Sequence, residues 1–226
     1  MAGKRHYEDG CAAAHALELI GERWALLIIR ELMLGPRRFT DLRSALPGIS
    51  PNVLTQRLDE LERASIVVRG KLPPPASVRV YDLSDWGREL EPVMLVIGRW
   101  AARSPTFPLG RQISTNSLIL SFRTMFDQAR AKGLSGCIGL VIDGQEFTAC
   151  MTTGRLTIEP GATAQCAARL EGDANMIAAV VYGGMPLDAA ISDGLLQVSG
   201  KQALVERFTG LFPLPDRAPD LAGTDK

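Results

Sequence analysis

The 226-residue sequence has no long apolar run, and this absence limits the class of protein it can encode. Apolar stretches such as Ala25 to Ile29 and Val93 to Ile97 are far shorter than the roughly 20 residues of a membrane-spanning helix. The first ten residues carry Lys4 and Arg5 without an apolar segment behind them, unlike a secretory signal. We therefore expect a cytoplasmic protein that does not enter the membrane.

Residues that bind metals or form disulfide frameworks are also scarce. The two histidines, His6 and His15, are near the N-terminus, and the four cysteines are widely separated: Cys11, Cys137, Cys150 and Cys166. This spacing fits neither a metal site nor a dense disulfide framework, so we interpret all four cysteines as reduced thiols. The sequence also has no phosphate-binding glycine loop and no nucleophile elbow. We expect no enzymatic activity, no cofactor and no metal.

The formal net charge is zero, which argues against a nonspecific coat for nucleic acid. Positive charge is nevertheless concentrated locally. From Arg30 to Arg79 there are nine basic and five acidic residues, whereas from Pro105 onward there are ten basic and twelve acidic residues. A basic surface is therefore expected only in the N-terminal half.

The chain length favours two domains. Proline and glycine break the pattern at Ser104 to Gly110, which predicts a first domain over residues 1–104 and a second over residues 111–226.

The first domain has the helix and strand pattern of a winged helix-turn-helix. Three helices are predicted over Ala12–Ile20, Arg23–Leu34 and Phe39–Ala45. A fourth begins at Pro51, with Ser50 as its N-cap, and runs to about Arg63. Two strands, Ile66–Leu72 and Val78–Leu83, follow, joined by a stiff tip at residues 73–75, and then a helix over Asp85–Arg103.

The fourth helix carries the side chains that DNA recognition needs. Its apolar stripe leaves Asn52, Thr55, Gln56 and Asp59 turned outward, with Arg57 on the flank. Polar side chains near the N-terminus of such a helix can read base edges in the major groove. We therefore predict DNA contacts from Ser50, Asn52, Thr55, Gln56 and Arg57.

Basic side chains flank this helix on both sides. Arg37 and Arg38 precede the third helix, and Arg69, Lys71 and Arg79 are on the predicted wing. They are placed for phosphate contacts, which position a protein on DNA without reading sequence. The alternative is that they are ordinary solvated charges.

The last helix of the first domain has an apolar stripe that is long for a surface helix. It comprises Leu90, Val93, Met94, Ile97 and Trp100. We expect this stripe to pack against a partner helix in a dimer.

The same segment resembles a known family. Residues 16–24 (ALELIGERW), Gly35 to Phe39 (GPRRF) and Leu46 to Ser50 (LPGIS) closely resemble the HxlR-type winged-helix regulators over about Cys11 to Trp100. The resemblance implies a homodimer built by the first and last helices, a repressor that binds double-stranded operator DNA, and a recognition helix carrying Asn52, Thr55, Gln56 and Arg57.

The resemblance also places Cys11 on the cysteine with which some members sense electrophiles or oxidants. Positive potential from His6 and Arg23 would favour its thiolate, whereas a buried, inert cysteine is the alternative.

The second half alternates helices with short strands, including a hairpin that turns at Asp143-Gly144. Its residues 168–173 (ARLEGD), 183–190 (GGMPLDAA) and 198–200 (VSG) resemble sterol-carrier-protein folds. The resemblance implies an apolar tunnel for a hydrophobic ligand. The alternative is a filled-in domain that supports dimerisation alone.

Taken together, the residues and resemblances predict an α+β chain with an N-terminal winged helix-turn-helix domain and a C-terminal sterol-carrier-like domain. The predicted function is ligand- or redox-responsive regulation of transcription. The competing hypothesis is a carrier of hydrophobic ligands or lipids whose first domain is only a dimerisation module.

Overall fold

The computed structural model describes residues 7–73 and 77–220. By its contacts the chain divides between Met94 and Leu95 into two compact units. His6 and most of the proline-rich wing tip predicted at residues 73–75 lie outside the described residues.

The first unit contains the predicted helices and the two-stranded wing. Its elements are α1 (Ala12–Ile20), α2 (Ala25–Leu32), α3 (Phe39–Ala45), α4 (Pro51–Arg63), β1 (Val67–Lys71), β2 (Arg79–Leu83), α5 (Asp85–Arg88) and the start of α6 (Glu91–Ala101). The predicted bounds of α1, α3 and α4 are confirmed. The second helix begins later than predicted because Trp24 has a φ of 79°, a left-handed conformation that a helix cannot include.

Leucine and isoleucine side chains from α2, α3 and α4 form the core of this unit. At most 1% of each is exposed: Ile28, Ile29, Leu32, Leu42, Leu54, Leu58 and Leu61. Full burial of such a side chain contributes about 1.5–3 kcal/mol. This core holds α4 so that its opposite face is free.

The single helix predicted over Asp85–Arg103 is wrong. The structure has two helices, because α5 ends at Arg88 and α6 begins at Glu91. Pro92 explains the break, since proline has no amide hydrogen to donate to the carbonyl of Arg88 in the preceding turn. The apolar stripe, except for Leu90 just before it, therefore lies on the separate, shorter helix α6.

The second unit combines a five-stranded sheet with helices, which confirms a mixed α and β composition. Its further elements are α7 (Thr115–Met125), β3 (Gly136–Ile142), β4 (Gln145–Thr152), β5 (Arg155–Pro160), β6 (Ala168–Gly172), α8 (Ala174–Tyr182), α9 (Leu187–Ser192), β7 (Leu196–Gly200) and α10 (Gln202–Thr209). The strand order is β5-β4-β3-β6-β7, with β3 and β6 parallel and the other pairs antiparallel.

Three phenylalanines dominate the core of this unit. The ring of Phe212 stacks on Phe122 with centroids 4.5 Å apart and meets Phe208 edge-on at 5.0 Å. The Tyr182 hydroxyl lies 2.8 Å from the Ser121 hydroxyl. Burial raises the pKa of the Tyr182 phenol well above its ordinary value, and the Ser121 hydrogen bond offsets only part of this effect.

The boundary between the two units lies after Met94, before the linker predicted at residues 104–110. The second unit therefore includes the C-terminal part of α6. Arg99 donates from Nη1 to the carbonyl oxygen of Thr124 at 3.0 Å, and Ala102 is buried. The backbone amide of Ala218 donates to the Arg103 carbonyl at 2.7 Å. These contacts hold residues 99–103 within the second unit.

The prediction of four reduced cysteines is wrong for two of them. Cys137 and Cys150 are directly opposite each other on β3 and β4, with Cα atoms 4.1 Å apart, and form a disulfide. Cys11 and Cys166 are free thiols. The strand register brings together two cysteines that are 13 residues apart in sequence.

Within the described residues, every helix is too short or too polar to cross a membrane.

Candidate nucleic-acid interface

The turn between α3 and α4 places the start of α4 at the surface. Gly48 in this turn has a φ of 90°, which glycine adopts at little cost, and Ile49 after it is buried. The Ser50 hydroxyl then accepts a hydrogen bond from the Val53 amide at 3.3 Å, with Pro51 as the first helical residue. The predicted N-cap is confirmed, and Ser50 uses its side-chain oxygen to begin the helix.

Three of the predicted recognition residues share the exposed face of α4. Asn52, Thr55 and Gln56 are all exposed. The Thr55 hydroxyl donates to the Pro51 carbonyl at 3.0 Å, and Gln56 Nε2 donates to Glu60 Oε1 at 3.0 Å. These are local contacts at the surface, so a ligand that approaches α4 can replace them.

Arg57 does not belong to this exposed face. Its side chain is only 14% exposed, its Nη2 donates to Glu22 Oε2 at 3.0 Å, and its Nη1 pairs with Glu60. The Nε atom is buried without a hydrogen-bond partner among the described residues. Because this guanidinium already pairs with two carboxylates of the protein, it is poorly placed for the predicted contact with a DNA base.

The wing is extended by one residue pair from the loop before α3. Arg37 forms two backbone hydrogen bonds with Tyr81, of 2.9 and 2.8 Å, as an isolated bridge beside β2. These bonds fix Arg37 and the exposed Arg38 next to the wing. The Asp41 carboxylate accepts from the Arg38 amide at 3.3 Å, which starts α3 at that point.

Lys71 and Arg79 face each other at the described end of the wing. They are a directly opposed pair in the β1–β2 register, and both are exposed. Like charges in opposed positions are destabilising, and neither residue forms an ion pair with any residue that the structure describes. An anion between them would relieve this repulsion.

Arg69 differs from these two cations. Its guanidinium pairs with Asp59 and, at 3.0 Å, with Glu62, and it lies 5.6 Å from the centre of the Tyr81 ring. A phosphate would have to compete with two carboxylates for this side chain.

Sequence reasoning missed one further cation. Arg43 is exposed in the last turn of α3 and, in the described part of the chain, has no acidic partner. The basic excess between Arg30 and Arg79 contains it, but it was overlooked because it lies within a helix rather than on a flanking loop.

The apolar stripe on α6 is only partly covered by its own chain. Val93, Ile97 and Trp100 are 43%, 39% and 75% exposed, while Leu90 and Met94 are half-buried. Neither α1 nor α6 has a buried residue. Both helices carry apolar surface that the described chain leaves open to solvent.

Comparison with known proteins identifies the N-terminal region. Residues 19–106 match the HxlR-like helix-turn-helix family. The HTH-type transcriptional regulator YvaP of Bacillus subtilis is 36% identical over 94 residues, which are 41% of this chain and 87% of YvaP. The chain belongs to the HxlR-like family.

A second relative has solved structures. YodB, an HTH-type transcriptional regulator of Bacillus subtilis, is 41% identical over 86 residues, 38% of this chain and 77% of YodB. The structure of its reduced form is 36% identical, covers 43% of this chain and 97% of YodB, and gives a TM-score of 0.39. A quinone-bound structure of YodB is 37% identical, covers 39% of this chain and 93% of that chain, and gives a TM-score of 0.35.

The redox candidate of the first unit, Cys11, is exposed at the N-cap of α1. Its amide donates to Asp9 Oδ1 at 2.9 Å, and its thiol does not cap the helix. Arg23, predicted to supply positive potential, lies with its guanidinium carbon 5.2 Å from the centre of the Trp24 ring.

The second unit has an open depression of about 790 Å³ lined mainly by small and polar residues from two segments, 128–135 and 152–154. Its composition differs from that of the apolar tunnel predicted from the sterol-carrier resemblance. The tunnel and its ligand therefore stay predictions.

Proposed function

We propose that the chain is a sequence-specific, DNA-binding transcriptional regulator that acts in the cytoplasm as a repressor. The observation that carries this proposal is the exposed polar face of α4, where Asn52, Thr55 and Gln56 follow a capped helix-turn-helix turn. Amide and hydroxyl side chains near the N-terminus of such a helix have the donors and acceptors that match base edges in the major groove. Its HTH-type relatives support the same conclusion.

The exposed cations supply the sequence-independent part of binding. Arg38, Lys71 and Arg79 contact phosphates in this proposal, together with Arg37, which is bonded to Tyr81 of the wing, and the exposed Arg43 of α3. We assign Arg69 a weaker contact because two carboxylates already pair with it. Arg57 acts as a positioning residue that connects α4 to the turn after α1.

The regulator works as a homodimer. The exposed apolar side chains of α6, with the uncovered surface of α1, provide the contact. An apolar cleft of about 250 Å³ between α1 and α5, lined by Leu19, Ile20 and Trp86 among others, adds surface of the same character. A twofold dimer presents two copies of α4 to half-sites about ten base pairs apart.

Effector control completes the proposal. The exposed thiol of Cys11 is accessible to oxidants and electrophiles, and a relative with solved structures, YodB, binds quinone. A hydrophobic ligand in the second unit is the other candidate effector. Either effector acts if it favours one spacing of the two recognition helices over another.

The test is fluorescence anisotropy with labelled duplexes that tile the region upstream of the chain's own gene, each paired with a scrambled duplex of the same composition. The proposal predicts one fragment that binds at least roughly 1,000-fold more tightly than its scrambled partner, with two chains per duplex. Equal, salt-sensitive binding to all duplexes would contradict it. Absence of DNA binding together with co-purified lipid would favour the carrier hypothesis.

A further inference from the structure

Three of the four cysteines are close together on one face of the five-stranded sheet. Cys137 and Cys150 form the disulfide between β3 and β4. Thr148 precedes Cys150 by two residues, so its side chain shares that face, and its hydroxyl lies 4.0 Å from the free thiol of Cys166. The third sulfur therefore lies beside β4, next to the residue two positions before Cys150.

The loop that carries Cys166 is fixed across these two strands. The Gly161 amide donates to the Glu146 carbonyl at 3.1 Å, the Thr148 hydroxyl donates to the Ala162 carbonyl at 3.1 Å, and the Ala167 amide donates to the Cys137 carbonyl at 3.1 Å. These bonds hold both ends of the loop beside the disulfide-bearing strands.

The middle of the loop packs closely on the sheet. Thr163 is buried, and a Cβ atom at Gly139 would lie only 2.4 Å from the Cβ of Thr163. Because only glycine allows this approach, the packing of Thr163 on Gly139 fixes the loop that carries Cys166 against β3.

None of the three cysteines is in the core. The residues on β4 whose side chains face the core, Phe147, Ala149 and Met151, are at most 2% exposed, whereas Cys137, Cys150 and Cys166 are all half-buried. Because these residues are outside the core, a small thiol can reach the disulfide, and disulfides that solvent reaches are more easily reduced than buried ones.

Whether such an accessible disulfide persists depends on the compartment in which the protein works, and this step rests on the proposed function. A transcriptional regulator works beside DNA in the cytoplasm, where thiols are kept reduced and disulfides are usually transient or redox-sensing.

We propose that Cys137, Cys150 and Cys166 form a thiol–disulfide exchange site for low-molecular-weight thiols such as glutathione. The thiolate of the small thiol attacks one sulfur of the Cys137–Cys150 bond, forming a mixed disulfide while the other cysteine leaves as a thiolate and takes a proton from water. A second small thiol then attacks the mixed disulfide. Two electrons have passed from two small thiols to the protein, which gains two thiols, and the small thiols leave as their disulfide.

Cys166 provides a second way to resolve the mixed disulfide. Its thiolate attacks the protein sulfur of that adduct, forms a bond to it and releases the small thiol unchanged. No net electrons are transferred in this branch, because the disulfide only moves from one cysteine pair to another. The small-thiol adduct on Cys137 or Cys150 is therefore short-lived while Cys166 is present.

The test incubates the full-length protein in buffers with fixed ratios of reduced to oxidised glutathione. Each sample is quenched with acid and alkylated, and intact-mass and peptide mass spectrometry then locate the modified cysteines. Oxidised protein should show two alkylated cysteines, Cys11 and Cys166, and native protein should shift to four as reduced glutathione rises. The Cys166→Ser variant should accumulate several-fold more glutathione adduct on Cys137 or Cys150 than the wild type. Cys11→Ser is the matched control: it should lower each alkylation count by one, to one and three, and leave the adduct on Cys137 or Cys150 at its wild-type level.

Three results would overturn the proposal. The disulfide could resist glutathione until the protein is unfolded, Cys137 and Cys150 could stay alkylatable in every oxidising buffer, or Cys166→Ser could leave the adduct at its wild-type level. Anisotropy with the upstream duplexes on the same samples separates the two proposals, because failure to bind DNA leaves the thiol counts unaffected and failed exchange leaves DNA binding unaffected.

Discussion

Arg57 on α4 donates from Nη2 to Glu22 Oε2, 3.0 Å away, across 35 residues of sequence. Glu22 lies in the turn between α1 and α2, so this ion pair joins that turn to the proposed recognition helix. The pair is asymmetric in exposure, with 14% of the Arg57 side chain and 50% of the Glu22 side chain accessible.

The ion pair should contribute measurably but modestly to stability. Because Glu22 is half-exposed, solvent screens the interaction, and we expect a coupling energy of about 0.3–1 kcal/mol. The measurement is a double-mutant cycle of Glu22→Gln, Arg57→Gln and the double variant by urea unfolding. Glu8→Gln, an exposed acid outside this contact, is the matched control. Additive effects of the two single changes would show that the pair contributes nothing in solution.

Lys71 and Arg79 should govern the salt dependence of DNA binding. Each phosphate contact that is lost lowers the slope of log K against log salt by about 0.9, so Lys71→Ala and Arg79→Ala should each do so, equally for every duplex sequence. Anisotropy titrations at several salt concentrations measure the slope. Lys201→Ala, an exposed change in the second unit, should leave it unchanged. An unaltered slope in both wing variants would exclude the wing as a phosphate contact.

The stripe on α6 should control the oligomeric state. Ile97→Glu places a charge in the proposed dimer contact, where it would be desolvated without a partner, and should weaken dimerisation by roughly 100-fold or more. Sedimentation velocity over a concentration series gives the dissociation constant. Leu109→Glu is the matched control, because Leu109 is a similarly exposed apolar residue outside α6. If Ile97→Glu remains as dimeric as the wild type, the contact must be elsewhere.

Tyr182 should make the second unit sensitive to alkaline pH. Burial raises the pKa of its phenol in the folded state, so above pH 10 the unfolded chain loses a proton that the folded chain keeps. The stabilisation is full below the unfolded pKa and is lost as the pH rises above it, by at most about 1.4 kcal/mol per pH unit.

The measurement compares urea unfolding of wild type and Tyr182→Phe between pH 8 and 11. The variant lacks the Ser121 hydrogen bond and should be less stable at pH 8, but the difference should shrink above pH 10. A difference that is independent of pH would show that Tyr182 ionises normally in the folded protein.

Local signals explain why much of the first unit could be predicted from the sequence. The breakers Gly35-Pro36 and Pro47-Gly48 and the Ser50-Pro51 start act on their own segments, so they fix the bounds of α3 and α4 whatever the rest of the chain does. The break before α6 is equally local, because Pro92 itself interrupts the hydrogen bonds of a helix.

Partners that are distant in sequence account for most of what was missed. The helical pattern of α4 put Arg57 on a flank, but only the folded chain brings Glu22 to it. The disulfide is an intermediate case. A two-residue turn at Asp143-Gly144 pairs residues equally distant from it, and Cys137 and Cys150 are each six residues away. The predicted turn thus contained the signal for this disulfide.

If the exposed face of α4 reads DNA sequence as proposed, Asn52→Ala and Gln56→Ala should lose operator affinity, and measuring that affinity is the most direct test. Each change should weaken binding to the preferred upstream duplex by about 1–3 kcal/mol, roughly 5- to 150-fold, while leaving affinity for the scrambled duplex nearly unchanged. Gln197→Ala, an exposed glutamine of the second unit, is the control and should bind both duplexes as the wild type does. Wild-type discrimination between the two duplexes in both α4 variants would contradict the account.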